Sequence, residues 1–330
     1  MKIVNLRFIK LAILLFVPLI LFKNGVAQQP AVHTIHSTTE SSMDEPYRSE
    51  FFTVRGIPNI SVKTINGNIE VYQNTAINGV QVDLYVERSF SLWSGTRNLD
   101  NYRIVIYQRG DQIIASVEDR SRGGSSRRGR DVQFHFVVQV PANSSTDLRT
   151  INGSIHLDGL EGKQFLQNQA GLLSAENSSG EIRLMSSTGS IELKNLKGSM
   201  FAKTVVGDID IADNEGEVRV RSTSGSIYVE RMSGALVAAT TSGDIITDFT
   251  DVSQGIYLET TSGDIQLSIP AEYGYEIHGK ALRFDLAGIQ LSSISRQSQS
   301  ANERTIVLRD GGLPVQLSTV SGYIRVSEEN

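Results

Sequence analysis

The chain has 330 residues, 39% of them hydrophobic, no cysteine, and a formal net charge of −5. The lack of cysteine excludes disulfides, thiolate metal sites, a cysteine nucleophile and a lipid-modified N-terminal cysteine. The acidic balance favours solubility and argues against general nucleic-acid binding.

Residues 1–27 read as a secretory signal peptide. Lys2, Arg7 and Lys10 form the basic start, Leu11 to Phe22 is an apolar run, and Gly25-Val26-Ala27 is a small-residue cleavage site. Cleavage there removes Lys2, Arg7, Lys10 and Lys23, taking the formal charge from −5 to −9. The run is short for a bilayer span, and no other stretch is long and apolar enough, so no membrane span is expected after cleavage. An exported chain of this size without disulfides points to a bacterial source. The address expected is the periplasm, the cell surface or the medium. Residues 28–48 are polar and aperiodic and read as a flexible leader.

Residues 49–145 are expected to form an N-terminal β cap. Strands are predicted over Gly79–Arg88, Tyr102–Gln108, Gln112–Glu118 and Val132–Val140, and Ser94–Asn101 has room for one short helical turn. Between two of these strands lies a basic loop carrying Arg120, Arg122, Arg127, Arg128 and Arg130. It is either a contact for an anionic ligand such as lipid, lipopolysaccharide or acidic glycan, or a solvated hairpin tip.

From Gly153 to Gly243 every ninth residue is glycine, and a fixed short period marks a repeat architecture. Units such as Gly207-Asp208-Ile209-Asp210-Ile211 and Gly225-Ser226-Ile227-Tyr228-Val229 read G-x-apolar-x-apolar, a strand with one buried face. Asn195, Thr204, Asp213, Ser222 and Thr240 follow the strands and suit turns. One unit alone is too small to offset its ordering entropy, so neighbours must share hydrogen bonds and a core. Two units are read as one coil. Residues 146–330 are therefore expected to be an all-β, parallel β-solenoid with about nine residues per strand unit. The regular coils give way to irregular capping strands at the C-terminal end, where Gly263-Asp264-Ile265 and Ser321-Gly322-Tyr323-Ile324 return to the pattern.

Three phrases carry a family resemblance: Thr64-Ile65-Asn66-Gly67-Asn68-Ile69, Val138-Gln139-Val140-Pro141 followed by Thr150-Ile151-Asn152-Gly153-Ser154-Ile155, and Thr-Ser-Gly-Asp-Ile at Thr241–Ile245 and Thr261–Ile265. Over about residues 50–330 the chain resembles the bacterial exported β-strand-repeat domains called toast-rack or putative adhesin domains, a family of unknown function. The resemblance implies a right-handed β-solenoid, β-helix-like, outside a membrane, acting in adhesion or sensing. It implies no catalytic residue.

The remaining chemistry is thin. Asp208, Asp244 and Asp264 each follow a repeat glycine. They are either a calcium ladder or solvated turn acids, and one glycine per unit favours the second. The outward carboxylates Glu192, Asp210, Glu217 and Asp264 would serve a polysaccharide lyase or hydrolase only if clustered in a groove. His33 and His36, three residues apart in the leader, are either a weak metal pair or chance polarity, the latter favoured, and His135, His156 and His278 are scattered as surface or cap residues. Phe165 and Phe201 alternate with Arg183 and Arg219 along one outward face, as a ligand-stacking stripe or as cross-strand stabilisation, the latter favoured. The function expected is a non-enzymatic, cofactor-free envelope module that binds a cell-surface polymer, a glycan or an envelope protein. A carbohydrate-active enzyme on the same scaffold and a purely structural component are the alternatives.

Overall fold

Glycines stacked on glycines set the geometry. In the computed structural model, which describes residues 45–88, 99–120 and 132–329, each regular coil takes 18 residues and lies in register on the one before. Residues 1–27, read as a signal peptide, residues 28–44 of the expected leader, residues 94–98 of the expected helical turn and Arg122–Arg130 fall outside the described residues.

The chain is almost entirely strand. The first group is β1 (Arg48–Phe52), β2 (Asn59–Asn66), β3 (Ile69–Gln73), β4 (Val80–Arg88), β5 (Tyr102–Arg109), β6 (Gln112–Asp119) and β7 (Val132–Val140). The regular series is β8 (Ser145–Asn152), β9 (Ile155–Asp158), β10 (Glu161–Gln167), β11 (Leu173–Glu176), β12 (Ser179–Met185), β13 (Ile191–Lys194), β14 (Lys197–Lys203), β15 (Ile209–Ala212) and β16 (Glu215–Arg221). Two long strands, β17 (Ile227–Ser242) and β18 (Ile245–Ser262), turn a corner without a break. The last group is β19 (Ile265–Pro270), β20 (Tyr275–Lys280), β21 (Arg283–Ala287), β22 (Ile294–Ser300), β23 (Glu303–Leu308), β24 (Leu313–Ser321) and β25 (Tyr323–Glu329). Of the expected helical turn, Leu99–Asn101 forms a single 3₁₀ turn.

Coils have two flanks. The first runs β2–β8–β10–β12–β14–β16, then the second halves of β17 and β18, then β24 and β20, all parallel. The second runs β7–β3–β9–β11–β13–β15, then the first halves of β17 and β18, then β19, β25 and β21, also parallel. Period-two alternation sends Ile191, Leu193, Ile209, Ile211, Ile227 and Val229 inward from the second flank, where they meet Met200, Ala202, Val218 and Val220 from the first. All ten are buried in one continuous core.

The two corners differ. At one, Gly153, Gly171, Gly189, Gly207, Gly225, Gly243 and Gly263 form a column in which a Cβ on any member would collide with the carbonyl of the glycine one coil earlier. Gly207 shows why only glycine serves: φ is +142°, and Gly189 O lies in the way of a side chain. The glycine carbonyls face inward, and buried hydroxyls answer them. Thr204 Oγ1 donates to Gly189 O (3.0 Å), Ser222 Oγ to Gly207 O (3.0 Å), Thr240 Oγ1 to Gly225 O (2.9 Å) and Thr319 Oγ1 to Gly263 O (2.8 Å). Thr204, Ser222 and Thr240 are thus interior donors and not the surface turn residues their polarity suggests. At the other corner Asn177, Asn195, Asp213 and Arg231 take φ of 49°, 51°, 57° and 50°, the left-handed conformation that Asn and Asp tolerate best. Asn195 and Asp213 are exposed there, as turn residues should be.

Both ends of the solenoid are built out of chain order. The β2–β3 coil lies between the β6–β7 coil and the β8–β9 coil, although 86 residues separate Ser154 from its partner Asn68. At the other end the β24–β25 coil, last in the chain, lies between β18–β19 and β20–β21. Outside each inserted coil sit antiparallel strands: β1, β4 and β5 at one end, β22 and β23 at the other. Gly67 and Gly322 continue the glycine column, Gly67 under Gly153 and Gly322 over Gly263. The coil series therefore reaches back into the region read as a cap.

Two substitutions separate inside from outside. Ile209 is fully buried and Asp210 is exposed. Ile209→Asp places an unpaired charge in the core and should cost about 4 kcal/mol or more, whereas Asp210→Asn should be nearly neutral. Equal losses in thermal melts would reverse the assignment. Thr204→Val keeps the shape but leaves Gly189 O without its donor, and should cost about 1–3 kcal/mol in denaturant titrations. A neutral result would remove the buried hydroxyls from the account.

Candidate functional site

On the first flank, in-register pairing turns every outward position into a column. One column reads Phe165, Arg183, Phe201, Arg219, Val237, Tyr257, Gln316 and His278. Its neighbour reads Lys203, Arg221, Ala239, Glu259, Ser318 and Lys280. The aromatic–cation alternation foreseen in the sequence is present. Arg183 lies 4.7 Å from the Phe201 ring centroid, and Arg149 lies 4.9 Å from that of Phe165. Arg219 turns to its own strand instead, where Nε donates to Glu217 (2.8 Å). This part of the stripe is consumed by cross-strand contacts, the favoured reading.

Beyond Arg219 the columns change character. Small side chains at Ala239 and Ser318 leave a trough of 450 Å³ with Val237, Tyr257 and Gln316 on its floor. A second depression of 330 Å³ adjoins it and shares Arg221, Ala239 and Glu259. The adjoining depression is hydroxyl-rich, lined by Thr204, Ser222, Thr223, Thr240, Thr241 and Thr261 beside Lys203. Lys203, Arg221 and Glu259 have no ion-pair partner among the described residues, while Lys280 stands 3.7 Å from Glu303. Arg304 is fixed at the far wall. It donates to Phe284 O (3.2 Å) and Gln299 Oε1 (3.1 Å), stacks 5.4 Å from the Phe284 ring, and keeps a buried Nε with no partner. The result is an elongated hollow with one flat exposed aromatic ring, several hydroxyls and amides, and cations at both ends.

The second flank carries a smaller acidic hollow. It measures 230 Å³ and is lined by Glu176, Glu192, Lys194, Asp210, Tyr228 and Glu230. Glu192 and Asp210 are register partners on adjacent strands. Partial burial raises the Glu192 carboxyl above its ordinary range, helped by Asp210 and Glu176. Burial likewise raises Asp210, helped by Asp208 and Glu230. One strand further on, Ser174 is buried and its Oγ lies 2.7 Å from His156 Nδ1. This is the carboxylate cluster that a carbohydrate-active enzyme requires, in a hollow half the volume of the trough.

Other residues singled out in the sequence resolve into scaffolding. Asp208 Oδ1 accepts from Ser226 N (2.8 Å), Asp244 Oδ1 from Asp264 N (2.8 Å) and Asp264 Oδ1 from Tyr323 N (3.0 Å). Each carboxylate caps a backbone N–H of the next coil, a third role beside the calcium ligand and the solvated acid. His135 Nδ1 accepts from Asn68 N (3.1 Å). His278 lines the trough. Of the basic loop only Arg120 is described. Its backbone N–H donates to Asn101 O (2.8 Å), and it is exposed. Arg122, Arg127, Arg128 and Arg130 lie outside the described residues, as do His33 and His36. The trough itself escaped the sequence reading. Its signals are the outward Arg221 and Tyr257, but they meet Gln316, Ser318 and Lys280 only because β24 inserts between β18 and β20.

Comparison with known proteins bears on the stretch that holds the trough. Residues 214–327 match the family model Toastrack DUF4097, and the toast-rack resemblance read from the sequence holds there. A solved structure of a putative adhesin from Bacteroides fragilis is 15% identical, with a TM-score of 0.43, covering 66% of this chain and 95% of that one. One of a putative adhesin from Parabacteroides merdae is 14% identical, with a TM-score of 0.31 and coverage of 66% and 95%. One of a putative cell adhesion protein from Clostridium sporogenes is 10% identical, with a TM-score of 0.23 and coverage of 86% and 100%. No curated protein matches the sequence.

The raised carboxylates make a signed pH prediction. Glu192 and Asp210 hold protons more tightly folded than unfolded, so their stabilising contribution is present at low pH and is lost as pH rises through their folded values. Between about pH 4 and pH 7 the wild type should lose more stability than a Glu192→Gln/Asp210→Asn double variant. Parallel pH–stability curves would contradict the desolvated pair.

Proposed function

We propose that this chain is an exported, non-catalytic binding module of the bacterial envelope, adhesin-like, whose working surface is the first flank. The signal peptide and cysteine-free composition support export. The observation that carries the binding role is the trough across β16, β17, β18, β24 and β20, where Arg221, the adjoining Lys203 and the exposed Tyr257 ring are left uncommitted while the rest of the flank spends its charges on itself. A long rigid sheet that presents side chains at fixed intervals suits an extended ligand, since little ordering entropy remains to be lost on binding.

A second reading is favoured by one observation. The hollow with Glu192 and Asp210 places two proton-holding carboxylates side by side, the minimum for glycosidic-bond chemistry. Against it, the hollow has no deep walls, because nine-residue units leave no long loops around it.

Glycan and lipid arrays probed with the mature chain test these readings together. The expected result is binding that Tyr257→Ala abolishes and that replacement of residues 120–130 by a short turn leaves intact. Loss on loop replacement alone would move the site to Arg120, Arg122, Arg127, Arg128 and Arg130. No ligand for any form would support a purely structural component. Release of reducing ends that Glu192→Gln eliminates would establish the enzyme.

A further inference from the structure

We infer that the trough takes a linear polyuronate, a chain of carboxylated sugar rings, laid along the solenoid axis with about one ring per strand. This rests on the proposed binding role of the first flank. The direction follows from the fold. Lys203, Arg221, Ala239, Glu259, Ser318 and Lys280 lie side by side on six consecutive parallel strands, so the hollow runs across the strands. Six strands span about 24 Å, and a sugar ring in an extended chain advances by roughly one strand spacing of ~4.8 Å.

The chemistry of the lining selects the polymer. Tyr257 is 38% exposed on the floor between Val237 and Gln316, a flat apolar plate for one face of a ring. Gln316, Ser318, Thr305 and Thr241 offer donors and acceptors for ring hydroxyls. Lys203 and Arg221 at one end, and Lys280 at the other, set positive charge against a carboxylated chain.

The same lining disfavours other occupants. Glu259 and Glu303 interrupt the cations, which opposes a densely charged polyphosphate or nucleic acid. The floor strands are paired on both sides, which leaves no edge for an added peptide strand. Val237, Ala239 and Tyr257 are too little apolar area for a stable protein interface.

Titration calorimetry with oligogalacturonates of increasing length, and with dextran as the neutral control, tests this. Affinity should rise with length to about six rings and then level off. It should fall with added salt. Lys203→Glu/Arg221→Glu and Tyr257→Ala should each weaken it at least about tenfold. Melting curves that match the wild type show that these exposed substitutions leave the fold intact. Dextran bound as well as oligogalacturonate, with loss on Tyr257→Ala but not on charge reversal, would overturn the polyuronate and leave the binding flank standing. Oligogalacturonate binding that ignores both variants would overturn the site. Binding of neither polymer would overturn the polyuronate, and the arrays would then judge the binding role alone.

Discussion

One backbone-to-backbone contact constrains the whole stack: the glycine of one coil sits against the glycine carbonyl of the coil before. No side chain fits between them, and the left-handed φ at each position suits no other residue. From Gly153 to Gly243 the contact recurs every 18 residues, and the following coil, with 20 residues, still brings Gly263 onto Gly243. The contact also creates a debt. The glycine carbonyl faces the interior, away from water and from the strand ladder, and an unpaired buried carbonyl is costly. The interior hydroxyls of Thr204, Ser222, Thr240, Thr260 and Thr319 discharge it. Asn168 answers two of these carbonyls at once, Gly153 O (3.2 Å) and Gly171 O (2.8 Å), so a core that looks purely aliphatic in its strands carries buried donors at its glycine corner.

Exact register has a second consequence on the surface. When coils repeat without slip, each outward position becomes a straight column of side chains at one strand spacing. On the first flank one column carries aromatic–cation stacking from Phe165 to Phe201, with Arg149 reaching in from the neighbouring column, and the two columns relax at Val237 and Ala239, where small residues open the trough. Stability and binding thus occupy successive stretches of the same columns. The register shifts in β17 and β18 fall at Val229–Leu236, beside this transition and at the corner where Arg231 takes a left-handed φ.

Much of the fold is visible in the amino-acid order. Nine-residue glycine spacing, two-residue alternation and the Asn195 and Asp213 corners each report a local requirement, and local requirements are what sequence pattern records. The inserted coils are a different kind of fact. Thr64-Ile65-Asn66-Gly67 and Ser321-Gly322-Tyr323-Ile324 show that the ends carry coil-like phrases, but their neighbours in space are chosen by tertiary pairing across 86 residues and more. For the same reason Thr204 and Ser222 read as surface turns until their inward direction is known. The trough was illegible because Arg221 and Tyr257 belong to the regular series, two coils apart, while Gln316, Ser318 and Lys280 arrive by insertion. The Arg183–Phe201 contact, by contrast, needed only the 18-residue register.

The account stands on the claim that the glycine column, including Gly67 and Gly322, holds the first and last coils inside the stack and not at its ends. Amide hydrogen exchange followed peptide by peptide measures this directly. Residues 59–73 and 313–329 should be protected to the same degree as 189–229, while the outer strands 102–109 and 294–300 exchange first. Rapid exchange of 59–73 and 313–329, as in frayed terminal strands, would contradict it.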